Sequence, residues 1–118
     1  MVTIFRLGPS SYFGNPATLV EGDQEGMRLF ACALHSALEN GRATLEGEGG
    51  LQHLIEERNG PATITLGQYG VVWQLDRSKL DELLALVDPL IADNTSGHQY
   101  LDIRSPTETL VISVNEFS

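Results

Sequence analysis

Met27, Phe30, Ala31, Leu34 and Leu38 recur at i, i+3, i+4, i+7 and i+11, a spacing that places all five on one stripe of an α-helix. This stripe predicts a long helix entered at Asp23, whose carboxylate caps free N–H groups, with Glu25 favoured by the positive N-terminal end. Asn40-Gly41 supplies a left-handed stop. Leu80, Leu83, Leu84, Val87, Leu90 and Ile91 predict a second long helix, with Ser78 and Asp81 at capping-box spacing and a kink or stop at Pro89. The same spacing recurs briefly at Leu51, Leu54 and Ile55 and predicts about two turns of helix ended by Asn59-Gly60-Pro61.

Between these stripes the period changes to that of strands. Residues 2–7 alternate β-branched and aromatic side chains and stop at the turn-rich Gly8-Pro9-Ser10-Ser11, and Tyr12-Phe13-Gly14-Asn15-Pro16 reads as a second loop before a short strand from Ala17 to Val20. Arg42 to Glu46 reads as a brief strand. Ala62 to Leu66 and Val71 to Leu75 bracket Gly67-Gln68-Tyr69-Gly70 as a hairpin. His98 to Ile103 and Thr109 to Val114 are strand-like runs joined by a turn at Arg104-Ser105-Pro106-Thr107. Short connections between strands require mostly antiparallel pairing. The expected fold is therefore α+β: a mostly antiparallel sheet with two long amphipathic helices packed on one face and one short helix. With 118 residues the chain is long enough for one domain, 1–118, with one core, and no repeat of solenoid type is legible.

Sixteen Asp and Glu against seven Lys and Arg give a net charge of −9, and the cations are scattered singly apart from Arg77 and Lys79. A nucleic-acid backbone or an anionic membrane needs clustered cations, so neither is expected as a partner, whereas a basic protein is electrostatically easier to accept. Cys32 is the only cysteine, which excludes an intrachain disulfide and a multi-thiolate zinc site. Between Ala31 and Ala33 it reads as a small buried residue. Residues 1–20 hold no apolar run of signal-peptide length, and no run reaches the roughly 18 apolar residues of a membrane helix, so a cytoplasmic location is expected.

The search for chemistry returns few constellations. Gly47-Glu48-Gly49-Gly50 lacks the Lys-Ser/Thr of a phosphate loop and carries acidic neighbours, so it reads as a connector. His53 and Glu57 stand four apart, but two ligands do not make a metal site, and a solvated polar helix face explains them with Glu56. Strand alternation puts His98, Tyr100 and Asp102 on one side, a polar, titratable row. His98 and Asp102 lie about 13 Å apart along a strand, too far for a catalytic dyad, so the row suits a recognition surface. Tyr69, at an expected hairpin tip, is a further interface anchor, while Trp73 reads as core. No catalytic residue, metal ligand or cofactor site is assigned.

In size, acidity and lack of a catalytic constellation the chain is similar to bacterial immunity proteins, which bind and neutralise toxins; the likeness is compositional and transfers no residues. The expected function is a non-catalytic protein-protein interaction module, immunity- or antitoxin-like, binding a basic partner through His98, Tyr100, Asp102 and Tyr69. The alternatives are a self-associating structural domain, forming a homodimer, and a small enzyme using His98 in a cleft.

Overall fold

A computed structural model of the chain describes residues 3–68, 70–92 and 96–116. Strands β1 (Phe5–Tyr12) and β2 (Asn15–Gly22) lead into helix α1 (Gln24–Asn40), followed by β3 (Arg42–Glu46), β4 (Gln52–Glu57), β5 (Thr63–Leu66) and β6 (Gly70–Leu75). Helix α2 (Arg77–Ala92) and strands β7 (Gly97–Asp102) and β8 (Thr109–Val114) complete the order. The strands form two four-stranded sheets, β1-β2-β8-β7 and β3-β4-β6-β5, where a single sheet was expected. Four pairings are antiparallel, and the two central ones, β2 with β8 and β4 with β6, are parallel.

The second order read backwards, β5-β6-β4-β3, is the first with each strand replaced by its counterpart four places along the chain. The fold is thus two ββαββ units that exchange strands, each sheet taking one hairpin from each unit. Side chains follow the same rule. Met27, Phe30, Ala31, Leu34 and Ala37 of α1 correspond position for position to Leu80, Leu83, Leu84, Val87 and Leu90 of α2, and all ten are buried. Asp23 Oδ1 accepts from Gly26 N at 2.7 Å, and Asp76 Oδ1 accepts from Lys79 N at 2.7 Å. These caps satisfy orphan N–H groups at equivalent helix starts, and the second replaces the expected Ser78 and Asp81 box. Gly41, at φ 87, closes α1 by donating to Ala37 O at 2.8 Å, as its sequence predicts. Pro89 neither stops nor ends α2, which runs on to Ala92; near a helix end a missing N–H removes little of the ladder.

The two helices touch each other, α1 lying mainly on β3 and β4 and α2 mainly on β7, and their stripes merge with the inner sheet faces in one core cluster. The sheets join edge to edge through a bridge between Thr63 and Ser105, with Ile64 N donating to Ser105 O at 2.9 Å and Arg104 N to Ala62 O at 2.7 Å. Burial on this scale supplies the main driving force for the fold.

Three further sequence readings are overturned. The segment expected to stop β1 at Gly8-Pro9-Ser10-Ser11 continues as strand, and the β1–β2 hairpin closes on Phe13 (φ 47) and Gly14 (φ 81), the two left-handed positions of a type I′ turn. Beyond Thr18 the hairpin has no neighbour on the β8 side, so Pro9 and Pro16 sit on strand edges where no ladder donor is required. Leu51 to Ile55, expected as helix, lies largely in strand β4, and only a 3-10 turn, Glu48–Gly50, precedes it. The inward residues of β4 are His53 and Ile55, so a polar residue type concealed the alternation. Cys32, expected to be buried, is exposed on α1.

Candidate functional site

Pairing registers fix what the outer face of the β1-β2-β8-β7 sheet presents. One row crosses all four strands as Arg6, Glu21, Ser113 and His98, and the next as Gly8, Leu19, Val111 and Tyr100. Asp102 follows on β7 opposite Thr109. The structure thus brings His98, Tyr100 and Asp102 to one face, as alternation requires; Tyr69 lies outside the described residues.

The first row is a polar network. Arg6 Nε meets Glu21 at 2.5 Å and Arg6 Nη1 meets Glu48 at 3.5 Å. Ser113 Oγ donates to Glu116 Oε1 at 2.8 Å, and His98 Nδ1 lies 3.1 Å from both Glu116 oxygens. Burial pushes the Glu116 carboxyl up, but the hydrogen bonds from His98 and Ser113 outweigh it and hold the group below its ordinary value. The order of partners decides the chemistry. A serine nucleophile needs the imidazole next to its hydroxyl and the carboxylate behind the imidazole; here the carboxylate stands between serine and histidine, so the histidine is not placed to take the serine proton. Glu116 was missed in the sequence because it lies past the last strand, in a turn led by Asn115 at φ 55.

The second row is apolar and leads to an aromatic cluster. Tyr12 and Tyr100 belong to the two opposite edge strands, which a flat sheet would hold roughly 14 Å apart, yet their ring centroids are 4.5 Å apart. The end of the β1–β2 hairpin therefore bends over the outer face as an arm. Phe13 meets Tyr12 at 4.6 Å, and Tyr100 meets His98 edge-on at 5.4 Å. Phe13 at the tip is 89% exposed and Tyr100 43%. Neither Tyr12 nor Phe13 was legible as a site residue, since Phe-Gly is not the Asn-Gly that marks such a turn.

A second titratable group lies inside. His53, 1% exposed, accepts through Nδ1 from the Trp73 indole N–H at 3.1 Å, and its ring meets Phe5 edge-on at 5.0 Å. A neutral imidazole that accepts at Nδ1 carries its proton on Nε2, and that atom is buried with no hydrogen-bond partner. Burial lowers the His53 pKa to about 4. The expectation of a solvated His53 is thus reversed: it is a core residue that serves as acceptor for Trp73, itself fully buried as expected. Gly47 packs on it so closely that a Cβ there would stand 2.8 Å from His53 Nε2 and 3.0 Å from Phe5 O.

Among the described residues no three His, Cys, Asp or Glu side chains gather to hold a metal ion, and no helix is long and apolar enough to cross a membrane. Compared with protein families, curated proteins and solved structures, the chain matches none.

Proposed function

We propose that the chain is a non-catalytic interaction module of immunity or antitoxin type, which docks the arm and the outer face beneath it against a basic polypeptide. The observation that carries this reading is Phe13. A phenylalanine at positive φ costs about 1–2 kcal/mol relative to glycine, and at 89% exposure its ring returns almost nothing to the core. Strain held on an exposed aromatic is expected where a partner uses the ring. The counterpart hairpin supports this: β5 has four residues where β1 has eight, so the shared fold does not need the arm.

Charge selects the partner. Glu21, Asp102 and Glu116 border the aromatic cluster, the only cation in the two cross-strand rows, Arg6, is engaged by Glu21 and Glu48, and the net charge is −9. Such a field speeds encounter with a basic surface, and aromatic anchors then hold it. Two copies meeting through this face would oppose their own carboxylates, which disfavours self-association here.

Retention of a host protein by immobilised wild type, by the Phe13→Ala/Tyr100→Ala variant and by wild type at about 0.5 M salt tests the reading. A basic protein held by wild type and released by both changes is expected. Equal retention by the variant, or indifference to salt, overturns it.

A further inference from the structure

The arm borders an open groove of about 300 Å³, lined by Tyr12, Asn15 and Pro16 on the arm and by Pro106, Thr107, Glu108 and Thr109 around the β7–β8 connection. Its volume is at the lower end of ligand pockets, suited to one side chain and not to a larger cofactor. Glu108 and Asn15, two of its polar lining residues, are exposed. The Glu108 carboxylate and the Asn15 amide make no side-chain hydrogen bond or ion pair among the described residues, while the neighbouring Thr107 hydroxyl is already committed to Thr18 and to Thr109 O at 2.8 Å each. Among the described residues no Lys or Arg lines the groove, and Tyr12 lies along it.

From this set we infer that the groove is the receptor for an arginine side chain of the partner, a conclusion that rests on the interaction surface proposed above and gives that surface its specificity. An anion is repelled by Glu108, and an apolar group strips water from the carboxylate and the amide without replacing it. A cation satisfies the carboxylate and is attracted to the face of the tyrosine ring. Arginine fits better than lysine because its planar guanidinium stacks on the ring while its donor fork meets a carboxylate with two parallel hydrogen bonds and leaves a further donor for Asn15. The arm thereby has two roles: Phe13 at its tip contributes apolar contact, and Tyr12, beside the turn, lines the charge-reading pocket.

The test uses the full chain, labelled with nitrogen-15, titrated with N-acetyl-arginine amide and, separately, with N-acetyl-citrulline amide, which keeps shape and most donors but lacks the charge. Arginine amide is expected to shift the amides of residues 12–16 and 106–109 with a saturating dissociation constant on the order of 1 mM. Citrulline amide and the Glu108→Gln variant should each bind at least about 5-fold more weakly, and Cys32→Ser, on the exposed side of α1, should leave the titration unchanged. Shifts scattered over the acidic surface, or equal binding of citrulline, overturn the pocket assignment. A flat titration beside partner capture that still depends on Phe13 removes the pocket and keeps the surface. A saturable, Glu108-dependent pocket beside capture indifferent to Phe13 and Tyr100 removes the surface reading.

Discussion

Lowering the pH should destabilise this protein through His53 before its carboxylates titrate. The folded His53 has a pKa of about 4 because burial penalises its charged form, against 6.5 in the unfolded chain. Between those values the unfolded state binds a proton that the folded state refuses, so stability rises with pH across that window. It is complete above about pH 6.5, falls as pH drops toward 4, and loses nothing further from this residue below that. The full gap corresponds to about 3 kcal/mol, and about 2.5 kcal/mol of it is lost by about pH 4.5. Replacing His53 with Asn keeps an acceptor near the Nδ1 position for the Trp73 indole and abolishes the titration. Urea unfolding of wild type and His53→Asn at about pH 7 and about pH 4.5 isolates the effect, because the carboxylates, Glu116 included, contribute to both proteins alike. The variant starts lower, having lost ring contacts to Phe5, but should lose about 2.5 kcal/mol less over the interval. Parallel losses in the two proteins, or a His53 ring resonance that titrates near 6.5, would refute the reasoning.

Three further outcomes follow from the backbone. Phe13→Asn places the residue preferred in a type I′ turn before Gly14 and should raise stability by about 1 kcal/mol in a thermal melt while weakening partner capture, the signature of strain kept for binding. Gly26→Ala, which helix propensity alone predicts to stabilise by up to about 1 kcal/mol, should instead cost at least about 2 kcal/mol by urea unfolding, because the added Cβ would stand 1.8 Å from Ile4 O. Cutting the chain in the exposed turn at Asn59-Gly60 should give two fragments, each unfolded alone by circular dichroism, that regain the strand and helix signal when mixed; each sheet draws two strands from either side of the cut.

Segments whose side-chain type reports their burial were legible. The stripe from Met27 and the Asn40-Gly41 stop gave α1 to the residue, and Thr109 to Val114 gave β8. The failures were places where tertiary context reversed the usual meaning of a residue. Pro9 and Pro16 signal loops except on strand edges, and the arm is edge on both sides beyond Thr18. His53 counts as polar in any hydropathy pattern, yet the indole of Trp73 requires an acceptor, and the histidine supplies it from the adjoining strand. Of the site, alternation gave the row His98, Tyr100 and Asp102. It was silent on Tyr12, Phe13 and Glu116, which reach that face by a bent hairpin and a chain end.

The two-fold relation between the ββαββ units separates what the core needs from what has been added. Val20 pairs with Ile112 in one sheet where Trp73 pairs with Ile55 in the other, and Thr18 with Leu110 where Val71 pairs with His53. One sheet thus fills its centre with Val20 and Leu110, and the other fills the same positions with Trp73 and His53. The larger ring must bring a partner for its N–H, and the residue that provides it carries an unmatched N–H of its own, so this departure from symmetry trades one polar requirement for another and is explained within the core. The arm is different in kind. Its extra strand length adds no residue beyond Ala17 and Thr18 to the buried set, it places a strained aromatic in solvent, and it borders a groove that Glu108 also lines. A feature that costs backbone strain and exposes an aromatic ring, with no added core burial in return, is accounted for by the docking role proposed above and not by any requirement of the fold.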